Sequence, residues 1–368
     1  MSILITGGAG YIGSHVAHAL NDAGERIVVI DDLSNGAASA VPQNTPLIVG
    51  NCGDPELLAS TLSQHDVTAV MHFAGSISAS ESVAEPARYH RNNVVNTQML
   101  VEAAIEHGVS QFVFSSTAAV YGQPSQAPVT ENARTAPLSP YGKSKLLAEQ
   151  MLHDAANAHE LKLVIFRYFN VAGADRDMRT GQSAPDATHL IRRAVQTAIG
   201  LRPEMQVYGT DYDTSDGTCV RDYVNIADVT RAHIDALRYL RKNGQPVTLN
   251  CGSGRGVSVH QVIDAVKRVS GADFRVVHAP RRAGDPASVI ASPAQARDCL
   301  GWRPHAGDLD EIIRRELAWE IELQARNSRS AVPDQRTRVV QRTDALAFEA
   351  PLEASLAPQA GLGLKSEF

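Results

Sequence analysis

The chain opens with a short apolar strand, a glycine-rich turn and an amphipathic helix, and this order constrains the fold more than any other feature. Residues 2–6 form a β-rich run that breaks at Gly7, and Gly10 and Gly13 follow at the spacing of a dinucleotide-binding turn. Gly7 permits the tight turn, Gly10 lets the backbone approach a pyrophosphate, and Gly13 lets the helix pack close to the sheet. The positive end of the helix would then face the anion. The pattern predicts the beginning of a Rossmann-type fold.

A second apolar strand, Arg26–Ile30, indicates which dinucleotide the chain binds. It ends in Asp31 and Asp32, at roughly the ~20-residue distance expected of a ribose-binding acid. Asp31 can accept hydrogen bonds from both hydroxyls of an adenosine ribose, and its charge would repel a 2′-phosphate. Since no arginine follows immediately to receive such a phosphate, the sequence predicts NAD rather than NADP.

A tyrosine and a lysine, Tyr141 and Lys145, lie four residues apart at the start of a predicted helix. They follow a strand that ends in hydroxyl side chains at residues 115–117, and one helical turn brings the phenol and the ammonium to the same face. A nearby cation favours phenolate, so we expect Lys145 to lower the tyrosine pKa from ~10 towards neutrality. Such a phenolate could remove a proton from an alcohol. Next to NAD, this pair predicts oxidation chemistry at an alcohol carbon.

Composition narrows the class of protein further. The chain has 368 residues, 43% of them apolar, and a net charge of −6, which fits a soluble globular protein and disfavours a nucleic-acid partner. It begins directly with a strand and has no apolar stretch of ~18 residues, so we expect neither a signal peptide nor a membrane partner. The four cysteines are scattered, without a CxxC pair or metal-ligand spacing. This predicts buried thiols in a cytoplasmic protein and no metal site.

Strands and helices alternate as in an α/β, doubly wound parallel sheet with a smaller C-terminal substrate-binding region. We predict an NAD-binding Rossmann domain at 1–170, a substrate-binding region at 171–324 and a disordered tail at 325–368. A later segment, Val247–Asn250, is expected to return to the main sheet. Further strands are predicted at 47–49, 69–73, 111–115 and 163–168, and helices at 55–64, 89–107 and 140–159.

Several motifs, read in order over residues 1–322, resemble the UDP-glucose 4-epimerases of the extended short-chain dehydrogenase/reductase family. The segment at 208–224 is specific to the hexose epimerases, whereas those at 6–15 and 139–145 are shared across the extended family. The matching segments are TGGAGYIGSH at 6–15, HFAG at 72–75, ESV at 81–83, NNV at 92–94, FSSTAAVYG at 114–122, SPYGKSK at 139–145, RYFNVAGA at 167–174, YGTDYDTSDGTCVRDYV at 208–224 and APRRAGD at 279–285.

The resemblance implies a reaction in which NAD is tightly bound and regenerated in every turnover. Tyr141 would remove the proton of the sugar 4-hydroxyl while carbon 4 gives its hydride to NAD. Lys145 would assist the tyrosine and bind the nicotinamide ribose, and Thr117 would donate a hydrogen bond to the reacting oxygen. The 4-keto sugar would then turn its opposite face and take the hydride back, which interconverts UDP-glucose and UDP-galactose.

The resemblance also implies two sets of binding residues in this chain. The cofactor set is Gly7, Gly10, Tyr11, Ile12, Gly13, Asp31, Asp32, Asn51, Cys52, Phe73, Ala74, Gly75, Asn92, Ser115, Tyr141, Lys145 and Tyr168. The substrate set is Thr117, Tyr141, Asn170, His189, Leu190, Tyr208, Arg221, Arg282, Asp285 and Val289. Arg221 and Arg282 would bind the two phosphates, Asp285 the uridine ribose and Tyr208 the uracil. For the arginines, the alternative is a solvated surface ion pair.

Four positions depart from the better-known family pattern. Asn51 replaces an aspartate that meets the adenine amino group, and its amide oxygen can still accept that hydrogen bond. Ile77 replaces a lysine seen in some members. His189 occupies an asparagine position beside the diphosphate, with helix N-terminal packing as its alternative role. Val289 replaces a tyrosine that closes the sugar pocket in glucose-only members, and this leaves room for a larger sugar.

Other functions remain open at this stage. Epimerases of UDP-N-acetylglucosamine, UDP-xylose or UDP-glucuronate share these motifs. A nucleotide-sugar 4,6-dehydratase needs an acid pair after the active-site threonine, whereas Thr117 is followed here by Ala118 and Ala119. A non-catalytic NAD-binding regulator would typically lose the Tyr141 and Lys145 pair. The resemblance further implies a homodimer built from the helices around residues 89–107 and 140–159.

Overall fold

The computed structural model describes residues 1–185, 188–282, 284–305 and 308–330. Two units are distinguished along the chain, Met1–Gln324 and Ala325–Phe368, and only residues 325–330 of the second are described. The strands are β1 Ser2–Thr6, β2 Ile27–Asp31, β3 Leu47–Val49, β4 Val67–His72, β5 Gln111–Thr117, β6 Lys162–Tyr168, β7 Asn170–Ala172, β8 Met205–Tyr208, β9 Val220–Asn225, β10 Val247–Cys251, β11 Gly256–Ser258, β12 Val276–Ala279 and β13 Ser288–Val289.

Helices connect these strands and pack on both faces of the largest sheet. They are α1 Tyr11–Asp22, α2 Pro55–Gln64, α3 Ala79–Ala84, α4 Pro86–His90, α5 Asn96–Glu106, α6 Pro140–His159, α7 Leu190–Ala198, α8 Ile226–Arg241, α9 Val259–Ser270, α10 Ala294–Leu300 and α11 Leu309–Ser330. None of the helices in the described ranges is long and apolar enough to cross a membrane.

The largest sheet has seven parallel strands in the order β10-β6-β5-β4-β1-β2-β3. Strands β1 and β2 are buried along their whole length, as expected of parallel strands covered on both faces. The predicted return of Val247–Asn250 to the main sheet is confirmed, because β10 pairs with β6 from Val247↔Val164 onwards. The predicted α/β doubly wound architecture is therefore confirmed.

Alternate side chains of the strands build two apolar layers, one on each face of this sheet. On β1, Ile3 and Ile5 join the layer that contains residues of α1 and α8. Leu4 points to the opposite layer, which contains residues of α2, α5 and α6. These two layers hold the carboxyl ends of the strands, and the loops that follow them, in fixed positions.

The helix predicted at residues 89–107 is confirmed as one uninterrupted helical stretch, residues 86–106, but it is not α-helical throughout. In the structure, α4 and α5 are separated by a π-helical turn at Arg91–Val95. Such widened turns are rare and often occur at functional sites, and their i→i+5 hydrogen bonds leave no clear mark on apolar spacing. The helices predicted at 55–64 and 140–159 are confirmed with the same bounds.

Later segments form a smaller region beside the main sheet. Strands β11, β9 and β13 are neighbours in one small sheet, β7 also pairs with β9, and β12 pairs with β8. Helices α7, α9 and α11 contribute to its separate apolar cluster. Helix α11 continues to Ser330, so residues 325–330 of the predicted tail are helical, and residues 331–368 lie outside the described residues.

Candidate active site

A cavity of about 420 Å³ lies where several parallel strands of the main sheet end, which is where open α/β sheets bind ligands. Four residues assigned to the substrate also line it: Thr117, Tyr141, Asn170 and His189. Every residue assigned to the cofactor lines it: Gly7, Gly10, Tyr11, Ile12, Gly13, Asp31, Asp32, Asn51, Cys52, Phe73, Ala74, Gly75, Asn92, Ser115, Tyr141, Lys145 and Tyr168. The fold thus brings together residues from the first 170 positions that are far apart in the sequence.

The turn after β1 requires glycine at two positions. Gly7 has a φ of 71°, and a Cβ there would lie 2.5 Å from the backbone nitrogen of Ala74. A Cβ on Gly13 would lie 2.2 Å from the carbonyl oxygen of Gly7. Gly13 therefore lets α1 pack against the turn itself, whereas the sequence analysis expected a contact with the sheet. The first turn of α1 lines the cavity, so an anion bound there would meet the positive end of the helix.

Asp31 ends β2 and holds the glycine-rich turn in place. Its Oδ2 accepts a hydrogen bond of 2.9 Å from the backbone N–H of Ala9, and its Oδ1 accepts one of 2.9 Å from Leu33. Burial raises the pKa of this carboxyl, although both hydrogen bonds favour the ionised form. Among the described residues that line the cavity there is no arginine. A carboxylate without an arginine nearby fits the ribose hydroxyls of NAD and disfavours the 2′-phosphate of NADP.

Two further polar groups at this end of the cavity are used in local turns. The Oδ1 of Asp32 accepts a hydrogen bond of 2.9 Å from the N–H of Ser34. The Oδ1 of Asn51 accepts one of 2.8 Å from the N–H of Gly53. A carbonyl oxygen has two lone pairs, so Asn51 keeps one with which to accept a bond from adenine.

Tyr141 and Lys145 project from the first turns of α6 into the same cavity. The Lys145 Nζ donates to the carbonyl oxygen of Ser115 at 2.9 Å, and burial lowers the lysine pKa to about 8. Burial raises the pKa of Tyr141, while a hydrogen bond with Thr117 acts in the opposite direction. The expected net lowering of the Tyr141 pKa by Lys145 is therefore not found. Desolvation of the phenol outweighs the hydrogen bond with Thr117, and the Lys145 ammonium is held by the end of β5.

The π-helical turn contributes an asparagine that the sequence analysis missed. Asn93 is buried, and its Oδ1 accepts a hydrogen bond of 2.8 Å from the N–H of Ser76. Its Nδ2 donates to the carbonyl oxygen of Ser76 at 2.9 Å and to Ser144 Oγ at 3.0 Å. Asn93 thus ties the loop after β4 to helix α6, which carries Tyr141 and Lys145. The adjacent Asn92 faces the cavity and donates to Ser76 Oγ at 3.0 Å. The adjacent asparagines Asn92 and Asn93 are the sequence feature that marks this turn, and only Asn92 was predicted to have a role.

Helices α7 and α11 anchor the loop at residues 181–185, two of whose residues line the cavity. The Trp319 Nε1 donates to the carbonyl oxygen of Gln182 at 3.1 Å. The Nη1 of Arg192 donates to the carbonyl oxygen of Ala184. Arg192 also forms a buried ion pair with Glu320. This wall of the cavity is therefore fixed from the C-terminal part of the chain.

The remaining substrate residues, Leu190, Tyr208, Arg221, Arg282, Asp285 and Val289, do not line this cavity. They lie on segments of the smaller region, where four of them form two side-chain pairs. The Arg282 guanidinium lies over the Tyr208 ring, 3.9 Å from its centre, and the Arg221 Nη2 lies 3.6 Å from Asp285 Oδ1. Val289 is paired with Arg221 between β13 and β9. Leu190 is the first residue of α7, directly after His189.

Residues 3–252 match the protein family described as the NAD dependent epimerase/dehydratase family. The chain is 51% identical over 331 residues to a UDP-glucose 4-epimerase of Azospirillum brasilense, covering 90% of this chain and 95% of that protein.

Two solved structures are similar over most of their length. The UDP-glucose 4-epimerase of Brucella ovis in complex with NAD has a TM-score of 0.84 and 42% identity, covering 86% of this chain and 97% of the other. The UDP-Glc/GlcNAc 4-epimerase of Campylobacter jejuni has a TM-score of 0.77 and 42% identity, covering 87% and 99%.

Proposed function

The chain belongs to the NAD dependent epimerase/dehydratase family, and we propose that it interconverts UDP-glucose and UDP-galactose at carbon 4 with bound NAD. One observation carries this proposal. The phenol of Tyr141, the hydroxyl of Thr117 and the ammonium of Lys145 meet in a cavity whose other walls fit a dinucleotide. Residues 1–170 would bind the cofactor, and residues 171–324 would supply most of the contacts to the nucleotide sugar.

Tyr141 takes the proton of the sugar 4-hydroxyl and later returns it. The Thr117 hydroxyl has one proton to donate. When it donates to Tyr141 it favours the phenolate, and when it donates to the sugar 4-oxygen it holds that atom beside the base. The residues of the glycine-rich turn and Asp31 would hold NAD, which would supply the hydride acceptor for carbon 4 and the donor for its return to the opposite face. Lys145 is fixed by Ser115 and presents its positive charge to the same cavity, where it opposes the cost of a buried phenolate.

The residues after Thr117 favour epimerisation over dehydration. Thr117 caps a short 3₁₀ turn by accepting a hydrogen bond of 3.1 Å from the N–H of Ala119. Ala118 and Ala119 present methyl groups there, and neither can donate or accept the proton that elimination of water requires. The 4-keto sugar therefore finds no acid–base pair at this position.

We also propose a homodimer located in the cytoplasm. Leu147 on α6 and Val95 beside α5 are exposed apolar side chains on the two helices expected to form the contact. All four cysteines are free, as expected in a reducing compartment. Light scattering on the purified protein should give the mass of a dimer, and Leu147→Asp should shift it towards the monomer.

The test of the proposed function is an assay without added cofactor. Purified protein is incubated separately with UDP-galactose, UDP-N-acetylgalactosamine and UDP-xylose, and the epimers are resolved by chromatography. We expect UDP-glucose to form from UDP-galactose without NAD in the buffer, because the enclosed cofactor is regenerated. A stoichiometric need for NAD with accumulation of free NADH would instead indicate a dehydrogenase. Tyr141→Phe protein serves as the inactive control.

A further inference from the structure

An arginine that the family resemblance did not single out lies next to the substrate residues. Arg193 is on α7, and its backbone N–H donates to the carbonyl oxygen of His189 at 3.0 Å, so the two residues lie one helical turn apart on the same face. The Nε of Arg193 is buried and has no hydrogen-bond partner, and the same holds for the Nδ1 of His189. A buried donor without a partner costs ~1–3 kcal/mol, which a bound acceptor would recover.

The surroundings of Arg193 are positively charged. Burial lowers the pKa of Arg193, and the charges of Arg202 and Arg282 lower it further, whereas Tyr208 acts in the opposite direction. The Arg202 Nε donates to the neutral side chain of Gln196 at 2.8 Å. Arg282 lies over the ring of Tyr208. Among the described residues, no carboxylate forms an ion pair with Arg193, Arg202 or Arg282.

Two other arginines, one on α7 and one on α9, differ from this arrangement because each has an acidic partner. Arg192, the residue before Arg193, is paired with Glu320, and Arg268 on α9 is paired with Asp310. Three guanidinium groups that lack acidic partners repel one another unless an anion lies among them. Phosphate groups fit this need, because a guanidinium can bind two phosphate oxygens at once through parallel N–H bonds.

We propose that Arg193 is a third arginine, beside Arg221 and Arg282, that binds the diphosphate of the nucleotide substrate. The inference rests on the proposed function for the identity of that substrate. Its support is the position of Arg193 one turn after His189, which lines the cavity, and the buried Arg193 Nε that lacks a hydrogen-bond partner. The Nε–H of Arg193 would donate to a phosphate oxygen. In this way the chain supplies a cation near the diphosphate although Ile77 stands where some relatives carry a lysine.

The matched variants are Arg193→Gln, which removes the charge but keeps a long polar side chain, and Arg193→Lys, which keeps the charge but loses the planar fork. The control is Arg268→Gln, an exposed helical arginine remote from the substrate residues in the sequence and paired with Asp310. Calorimetric titration measures the affinity of each protein for UDP, uridine and inorganic pyrophosphate. Circular dichroism and the bound NAD content show that each variant is folded.

We expect Arg193→Gln to weaken UDP binding roughly 10- to 100-fold, the factor expected for losing a hydrogen bond to a charged group. Arg193→Lys should lose less, and uridine affinity should not change in either variant. Arg268→Gln should bind UDP like the unaltered protein. If Arg193→Gln also weakened the binding of pyrophosphate, this result would support a contact between Arg193 and the phosphate groups.

Two results would overturn the inference: equal UDP affinity in Arg193→Gln and the unaltered protein, or equal losses for UDP and uridine. The measurement does not depend on turnover, so it separates the two proposals. If no UDP sugar were epimerised while Arg193→Gln still lost UDP affinity, the proposed function would fall and the phosphate contact would stand. Normal epimerisation with unchanged UDP affinity in Arg193→Gln would remove the phosphate contact alone.

Discussion

Glu149 and Arg167 form a two-point ion pair in the interior of the protein, with 2.6 Å between Arg167 Nη2 and Glu149 Oε2 and 3.1 Å between Arg167 Nε and Glu149 Oε1. Both side chains are buried, and Glu149 also accepts a hydrogen bond from Ser116. Glu149 lies on helix α6, Ser116 on β5 and Arg167 on β6. The pair therefore connects the elements that carry Tyr141 and Thr117.

The connection continues towards the substrate side. Arg167 Nη1 donates to the hydroxyl of Tyr121 at 3.0 Å, and Tyr121 donates to Asn250 Oδ1 at 2.7 Å. The Asn250 Nδ2 donates to the carbonyl oxygen of Val129 at 2.9 Å. The N–H of Val129 in turn donates to the carbonyl oxygen of Ile290 at 2.7 Å. Residue 290 directly follows Val289, so one buried chain of hydrogen bonds joins the end of β5 to the strand that carries Val289.

Glu149→Gln should destabilise the protein strongly, because it leaves the Arg167 charge buried without its partner. Removal of one member of a buried pair typically costs ~3–5 kcal/mol. Urea unfolding followed by circular dichroism measures this change. The control is Glu85→Gln, which removes an exposed pair with Arg88 and should cost no more than ~1 kcal/mol. Similar unfolding midpoints for the two variants would mean that the buried pair contributes no more than a surface one.

Tyr141→Phe should reduce turnover by roughly 10²- to 10⁴-fold, the usual contribution of general acid–base catalysis, while bound NAD is retained. The phenol reaches into the cavity but is one of many lining groups, so its loss should not release the cofactor. Initial rates and the nucleotide released by denaturation are measured side by side. Tyr239→Phe is the control, since that phenol donates to Gln245 near the surface. Near-normal turnover in Tyr141→Phe would disprove the assignment of the base.

Glu316 should make the stability of the protein fall as pH rises. Burial and the nearby carboxylate of Glu320 raise its pKa from 4.5 to about 8. Between these two values the folded state holds a proton that the unfolded state has released, so folding loses up to ~1.4 kcal/mol per pH unit across this window. Below the unfolded-state pKa, both states are protonated and the effect vanishes.

Glu316→Gln removes this titration, and the variant should lose less stability than the unaltered protein between pH 6 and pH 8. The free energy of unfolding is measured at both pH values by urea titration. Glu106→Gln, at an exposed position at the end of α5, is the control and should keep the original pH dependence. An unchanged pH slope in Glu316→Gln would mean that its carboxyl group titrates alike in the folded and unfolded states.

Local signals in the sequence predicted the main sheet, and they singled out residues that come together in one cavity. The turn at Gly7, the acid at Asp31 and the pair at Tyr141 and Lys145 depend on short-range geometry, which spacing along the chain encodes directly. Each of these residues lines the cavity in the structure. The apolar run at Val247–Asn250 was also sufficient to predict a late strand of the main sheet.

Other features could not be predicted because they depend on tertiary burial. Glu149 and Arg167 are charged residues in elements whose pattern allows an exposed position, and only the fold shows that both face inwards. The pKa of Tyr141 depends on how far the phenol is desolvated, which residue spacing does not reveal. Asn93 acquires its role through contacts with Ser76 and Ser144, which lie in different elements.

Val289 should permit activity on UDP-N-acetyl sugars in addition to the UDP-glucose and UDP-galactose pair. A tyrosine ring at this position, as in the glucose-only members that this chain resembles, is expected to occlude the space that an N-acetyl group needs. Val289 is smaller and packs in a buried cluster with Tyr121, Val129 and Phe169. Steric closure excludes the larger sugar, so removal of the ring admits it without any new contact.

The variants Val289→Tyr and Val289→Leu separate the ring from a simple increase in side-chain volume. Rates on UDP-galactose and UDP-N-acetylgalactosamine are compared in both variants and in the unaltered protein. We expect Val289→Tyr to lose nearly all N-acetyl activity and keep most of the galactose activity, and Val289→Leu to keep both, because leucine lacks the reach of the ring. Equal N-acetyl rates in Val289→Tyr and the unaltered protein would show that residue 289 does not limit the sugar pocket, whereas a parallel loss on both sugars would indicate a packing defect in the cluster around Phe169.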